Sequence, residues 1–92
     1  MFEFQWDPAK AASNLQKHGV SFDYAARVFL DLCRQDGVDR RHHYGEERRI
    51  TIGSIEGRVY VVAYTRHRAA IRLISARKAN DRETHKYHTF SA

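Results

Sequence analysis

Arg48-Arg49-Ile50-Thr51-Ile52-Gly53, then Arg58-Val59-Tyr60-Val61-Val62-Ala63-Tyr64-Thr65, then Ala70-Ile71-Arg72-Leu73-Ile74-Ser75-Ala76 decide the fold. In the first stretch Arg48, Ile50 and Ile52 alternate with Arg49, Thr51 and Gly53, the period-two pattern of a strand. The second is rich in Val and Tyr, which suit a pleated, packed surface. Ser54-Ile55-Glu56-Gly57 and Arg66-His67-Arg68-Ala69 are short connections between the stretches. Three consecutive strands with short links predict an antiparallel meander.

Outward from this sheet the pattern becomes helical. Phe2, Phe4 and Trp6 alternate with Glu3 and Gln5, which predicts a short extended segment packing one apolar face. Asp7-Pro8 is an N-cap followed by proline at the first helical position, so a helix is expected from Pro8 to about His18, stopped by Gly19. Ala11, Ala12 and Leu15 fall on one face of it, and Lys10, Asn14, Lys17 and His18 on the other. Ser21 caps a second helix ending near Leu30. There Phe22, Ala25, Ala26 and Phe29 form a stripe at i, i+3, i+4, i+7, broadened by Val28 and Leu32.

Between the helices and the meander, a short strand is possible around Leu32–Gln35. Asp36-Gly37 signals a turn, and Asp39 to Gly45 reads as an exposed basic loop. Asn80-Asp81-Arg82-Glu83 has capping-box form and starts a helix to about Phe90, anchored by Tyr87 and Phe90. The expected fold class is α+β. Two N-terminal helices and a C-terminal helix are expected to cover one face of an antiparallel three- to four-stranded sheet.

Ninety-two residues, 42% hydrophobic and 29% charged, make one globular domain over residues 1–92. Sixteen Lys and Arg against eleven Asp and Glu leave a net charge of +5, which favours a polyanionic or acidic partner. A single cysteine, Cys33, excludes an internal disulfide and every zinc pattern built on a cysteine pair; it reads as a small half-buried hydrophobe. His85 and His88 stand at i, i+3 without an evident third ligand, so no metal and no cofactor is expected. The first six residues lack signal-peptide character, and the longest apolar run, Val59 to Tyr64, is far shorter than the roughly 20 residues of a membrane span. A cytoplasmic protein is expected, without a membrane partner.

The string Trp6-Asp7-Pro8-x-Lys10-x-x-x-Asn14-x-x-Lys17-His18-Gly19-Val20-x-Phe22 is distinctive. So are Glu47-Arg48, the hairpin after it, Arg72-Leu73-Ile74-Ser75-Ala76-Arg77-Lys78-Ala79, and the closing Glu83 and Tyr87. Together they resemble the BrnT family of bacterial type II toxins over nearly the whole chain. The resemblance implies a RelE-like fold and a ribonuclease toxin that cleaves RNA and arrests growth by blocking translation. It also implies a BrnA-type antitoxin with a ribbon-helix-helix domain, in a complex of toxin dimer and antitoxin dimer. That complex, rather than the toxin alone, would bind operator DNA and repress its own operon.

The residues themselves offer a set of candidates. Metal-independent RNA cleavage needs a base for the 2′-hydroxyl, cations for the charged transition state and an acid for the leaving oxygen. The catalytic candidates are Lys17, His18, Glu47, Arg48, Arg72 and Arg77; the candidate RNA contacts are Lys10, Tyr64, Arg66 and Lys78. Arginine forks match phosphate oxygens two at a time. Glu47 is the candidate base, with Glu46 its competitor, and His18 is a candidate acid or base. Each has an alternative reading: Arg77 fixes the last helix, Glu47 forms a solvated ion pair, Lys17 and His18 stabilise a helix C-terminus, and Tyr60 and Tyr64 fill the core. Arg72 and Arg77 are five positions apart, so a regular strand points them to opposite faces; an early end of the strand before Arg77 is the favoured escape. A non-catalytic basic module that binds nucleic acid or protein fits the charge equally well.

Overall fold

A computed structural model describes residues 3–40 and 47–91 of the chain. In chain order the elements are β1 (Glu3–Gln5), α1 (Pro8–His18), α2 (Phe22–Ala25), a 3-10 turn (Ala26–Leu30), β2 (Gln35–Val38), β3 (Arg48–Ile55), β4 (Arg58–His67), β5 (Ala70–Lys78) and α3 (Asp81–Ser91). The α+β class and the β3–β4–β5 meander are as expected. The sheet itself is larger than expected and mixed: five strands in the order β1-β5-β4-β3-β2, with β1 parallel to β5. The strands also run further into their connections. Only Glu56 and Gly57 turn between β3 and β4, both at positive φ (50° and 82°), the geometry that matches strand twist in a two-residue hairpin.

Alternation along β4 separates two cores. Tyr60, Val62 and Tyr64 face the helices α1 and α2 and the 3-10 turn, packing with Phe22, Ala25, Val28, Phe29, Ile71, Leu73 and Ala76. Val59 and Val61 face the other way and pack with Ile50, Ile52, Ala79 and Tyr87. The last helix therefore covers part of the second face, which corrects the expectation of helices on one face alone. Tyr87 is buried as an anchor, but Phe90, expected beside it, is 70% exposed.

The second helix shows how packing reshapes a sound sequence pattern. The stripe Phe22, Ala25, Ala26, Phe29 is buried together with Val28, yet the α-helix lasts four residues and tightens into the 3-10 turn. That turn rests directly on β3: a Cβ at Gly53 would lie 3.1 Å from both the Val28 Cβ and its carbonyl oxygen. At Asp31 the chain turns extended, because its carboxylate accepts the Ser54 amide at 2.8 Å and the Tyr87 hydroxyl. Leu32 is consequently thrown fully into solvent instead of widening the stripe, and Cys33 is exposed rather than half-buried.

Two further readings are corrected in the middle of the chain. Asp36-Gly37 is not a turn but lies within β2, with Asp36 opposite Thr51 and Gly37 opposite Ile50. Tertiary partners override the local signal: the Asp36 carboxylate accepts hydrogen bonds from Arg34, from Arg49 and from the Tyr64 hydroxyl. Asp39, expected in an exposed loop, is buried against Arg48. The remainder of that loop, residues 41–46, lies outside the described residues.

α1 is capped as its sequence demands, with the Asp7 side chain accepting the Ala9 amide and Gly19 closing the other end in the left-handed region. Its inner face is shifted from the one expected: Ala11 packs against the core, but Ala12 is exposed. Leu15 is 51% exposed, and the buried residue is Asn14. β1 pairs with β5 only from Ala70 to Arg72, so further along that edge the β5 backbone needs another partner. The Asn14 amide takes the place of a strand: its oxygen accepts the Ala76 N–H at 3.0 Å and its nitrogen donates to the Ala76 carbonyl at 2.8 Å and the Val20 carbonyl at 3.0 Å. Asn14→Ala should lower stability by about 2–4 kcal/mol, since it orphans buried backbone groups. Asn14→Asp, which cannot donate to either carbonyl, should not restore it; urea midpoints of the two variants check this.

Candidate functional site

The site begins with an irregularity in β5. Ala63 pairs with Ser75 but Tyr64 pairs with Leu73, so Ile74 is an extra residue on β5. Such a bulge resets the alternation of side chains. Leu73 and Ala76 both face the first core, and Arg72 and Arg77 both face the second side. The strand does not end before Arg77, as expected, but continues to Lys78; the bulge brings the two arginines to one face instead.

Register completes the arrangement. Arg72 lies opposite Thr65 on β4, Thr65 opposite Arg48 on β3, and Gln5 of β1 beside Arg72. Cross-strand partners point to the same side. Arg48 and Arg72 thus flank Thr65 with their backbones about 10 Å apart, two strand spacings, within the joint reach of two arginine side chains. Arg72 is exposed, and neither it nor the Thr65 hydroxyl has a hydrogen-bond partner among the described residues. The Arg48 Nε lies 3.6 Å from the Asp39 carboxylate. Two arginines flanking one hydroxyl donor are residue types able to hold a tetrahedral oxyanion.

Arg77 is on the same face but about 13 Å further along, four residues of strand rise away. Both of its terminal nitrogens donate to the Glu83 carboxylate at 2.8 Å. Glu83 also closes the capping box, accepting the Asn80 amide at 3.0 Å while the Asn80 side chain accepts the Glu83 amide at 2.8 Å. Arg77 therefore ties α3 to the sheet. Its hydrogen bonds hold the Glu83 carboxyl below the usual carboxylate range and raise the Arg77 guanidinium in turn.

The other candidates lie elsewhere. Glu47 accepts a 2.7 Å hydrogen bond from Arg49, and Arg49 sits on the side of β3 facing Tyr64, opposite Arg48. Lys10, Lys17 and His18 are exposed on α1, in the layer behind the sheet. Arg66 is exposed near the end of β4 and pairs with Ile71, which faces that same layer. Lys78 lies opposite Tyr60 and lines a cleft of about 290 Å³ with Leu15, Gly19, Val20, Ser21 and Tyr24. Tyr64 is fully buried, its ring edge-on to Phe29 and its hydroxyl on Asp36, so no face of it is open to a base. Burial first, then Asp36, raises its hydroxyl pKa. The structure thus unites Arg48, Arg72 and, at a distance, Arg77, and separates them from Lys10, Lys17, His18, Arg66 and Lys78.

Thr65 and Asp39 were not singled out from sequence. Thr65 follows the apolar run of β4, and its place between two arginines depends on the register of three strands. Asp39 precedes a basic run and reads as solvated.

The family described as ribonuclease toxin, BrnT, of type II toxin-antitoxin system matches residues 6–83. The chain belongs to this family. The match spans α1 to the first turn of α3, and so includes the Asn14 staple, the β5 bulge, the Arg48–Thr65–Arg72 row and the Arg77–Glu83 pair. Membership in a BrnT toxin-antitoxin system implies an antitoxin as partner. No curated protein matches the chain. No helix among the described residues is long and apolar enough to cross a membrane.

The lowered pKa of Glu83 fixes a sign. Its contribution to stability is complete above the ordinary carboxylate value of 4.5 and is lost as pH falls through the lower folded value. Glu83→Gln should cost about 1 kcal/mol at neutral pH, a figure kept small by the partial exposure of both side chains. The difference between variant and parent should shrink below pH 4, as read from thermal melts across pH.

Proposed function

We propose that the chain is a metal-independent endoribonuclease that cuts RNA on the open part of the second sheet face, with the phosphate held by Arg48, Thr65 and Arg72. The row of two arginines around a hydroxyl with no partner among the described residues carries this reading. The 2′-oxygen attacks the adjacent phosphorus as its proton is taken up, the P–O5′ bond breaks, and the leaving 5′-oxygen takes a proton from solvent water, so the products are a 2′,3′-cyclic phosphate and a 5′-hydroxyl. Arg48 and Arg72 neutralise the charge that builds on the non-bridging oxygens, and the Thr65 hydroxyl donates to one of them. Glu47 is the proposed proton acceptor; its resting partner Arg49 lies on the helix side of β3, so Glu47 must turn toward the row to act. It precedes the first residue of β3, its side chain is 57% exposed, and leaving its surface ion pair with Arg49 costs under about 1 kcal/mol. Arg77 acts through α3, whose first turn borders the face.

The proposed biological setting, which the family description supports, is arrest of translation through RNA cleavage in the cytoplasm, neutralised by a BrnA-type ribbon-helix-helix antitoxin in a two-plus-two complex that also represses the operon. Covering the Arg72 row with acidic residues of that antitoxin would switch the toxin off.

A second reading has one observation in its favour. On this face Asp39 and Glu83 are both engaged by arginines, so neither of them is a ready base. A non-catalytic RNA- or protein-binding module would need no more than this.

The deciding assay incubates partner-free protein with total RNA in EDTA, with Arg72→Ala beside it. Cleavage is expected from the parent and a loss of about 10²–10³ in rate from the variant. Intact RNA, with binding that weakens steeply with salt and a salt slope reduced by about one in the variant, would establish the binding module instead.

A further inference from the structure

Asp39 has a burial that the cleavage chemistry does not use. Its side chain is 2% exposed, at the end of β2, and faces the flank of Arg48 rather than solvent. The two residues are linked twice: the Asp39 amide donates to the Arg48 carbonyl at 2.8 Å, and its carboxylate stands 3.6 Å from the Arg48 Nε. The terminal nitrogens of Arg48 have no partner among the described residues. A buried carboxylate strongly favours a neighbouring cation, so Asp39 restricts where the guanidinium can lie while leaving its fork unspent. Arg72, across Thr65, is an exposed side chain with no such restraint.

We propose that Asp39 is a positioning residue for the anion cradle: it holds Arg48 by the stem side and directs the fork over Thr65 toward the phosphate, without touching RNA itself. The proposal rests on the reading of the Arg48–Thr65–Arg72 row as the phosphate site. It makes Arg48 the preorganised half of the clamp and Arg72 the mobile half that closes on the bound strand.

The test combines Asp39→Asn, Arg48→Ala and the double variant. Asp39→Asn should lower kcat about 10-fold and raise KM about tenfold, because a misaimed fork holds the bound phosphate and the transition state less well. In the Arg48→Ala background the same change should cost nothing further, because residues that act through one another are non-additive. Equal kcat for Asp39→Asn and parent, or a full added loss in the double variant, would overturn the proposal. Arg48→Lys, which keeps the charge beside Asp39 but has no fork, guards against a variant that fails to fold: adding Asp39→Asn to it should again change nothing in kcat.

A second readout does not need turnover. Binding of an all-2′-deoxy oligonucleotide should weaken about tenfold on either single change and no more on both, a shared deficit of one coupled pair. If the parent leaves RNA intact, the nuclease reading falls while this coupling still decides the role of Asp39. Independent, additive losses there would overturn it.

Discussion

The Asn14 side chain, bound to both backbone groups of Ala76 and to the Val20 carbonyl, is the constraint on which the rest depends. β5 lies between β4 and β1, but β1 is three residues long and leaves the far part of that edge uncovered. Without a partner, buried N–H and C=O groups at Ala76 would each cost about as much as a lost hydrogen bond and more. One amide on α1 satisfies both and fixes the helix to the strand. With α1 in place, Val20 and Phe22 enter the core, the 3-10 turn meets β3 at Gly53, and Asp31 reaches the Tyr87 hydroxyl from around the sheet edge. Helical layer, sheet and last helix are joined through a few polar contacts at the margins of two small apolar cores.

The same strand carries the functional face. Between Arg72, where β1 stops, and Ala76, where Asn14 takes over, stands the bulged residue Ile74. A bulge shifts the alternation of everything beyond it. It lets Leu73 and Ala76 share the first core while Arg72 and Arg77 share the opposite face. Removing the extra residue would leave the backbone a strand but put either the arginines or the core residues on the wrong side.

Charge is distributed unequally across the sheet. On the helix side of β2 and β3, Arg34 and Arg49 are consumed by Asp36 and Glu47, and the Asp36 carboxylate also accepts the buried Tyr64 hydroxyl. These pairs brace strand β2 and contribute little to the field outside. On the second face, among the described residues, Arg72 has no acidic partner and Arg48 has only Asp39. A net charge of +5 is therefore felt where register leaves cations unpaired, not where arginines are most numerous.

What the sequence by itself determined is local. Asp7-Pro8, Gly19, Ser21 and the Asn80/Glu83 capping box place helix ends because each acts on backbone groups within four residues of itself. The alternation in β3, β4 and β5 determined that a meander forms, because side chains on a pleated strand point to opposite faces whatever lies beside it. The matching motifs were enough to identify the family. Tertiary structure alone decided that β1 runs parallel to β5, that Asp36-Gly37 extends instead of turning, that Asn14 faces inward, and that α3 covers the second face. It also decided the row Arg48–Thr65–Arg72, whose members come from three strands and meet only through register and a bulge. Such features follow from packing between segments distant along the chain, and no local stereochemical preference encodes them.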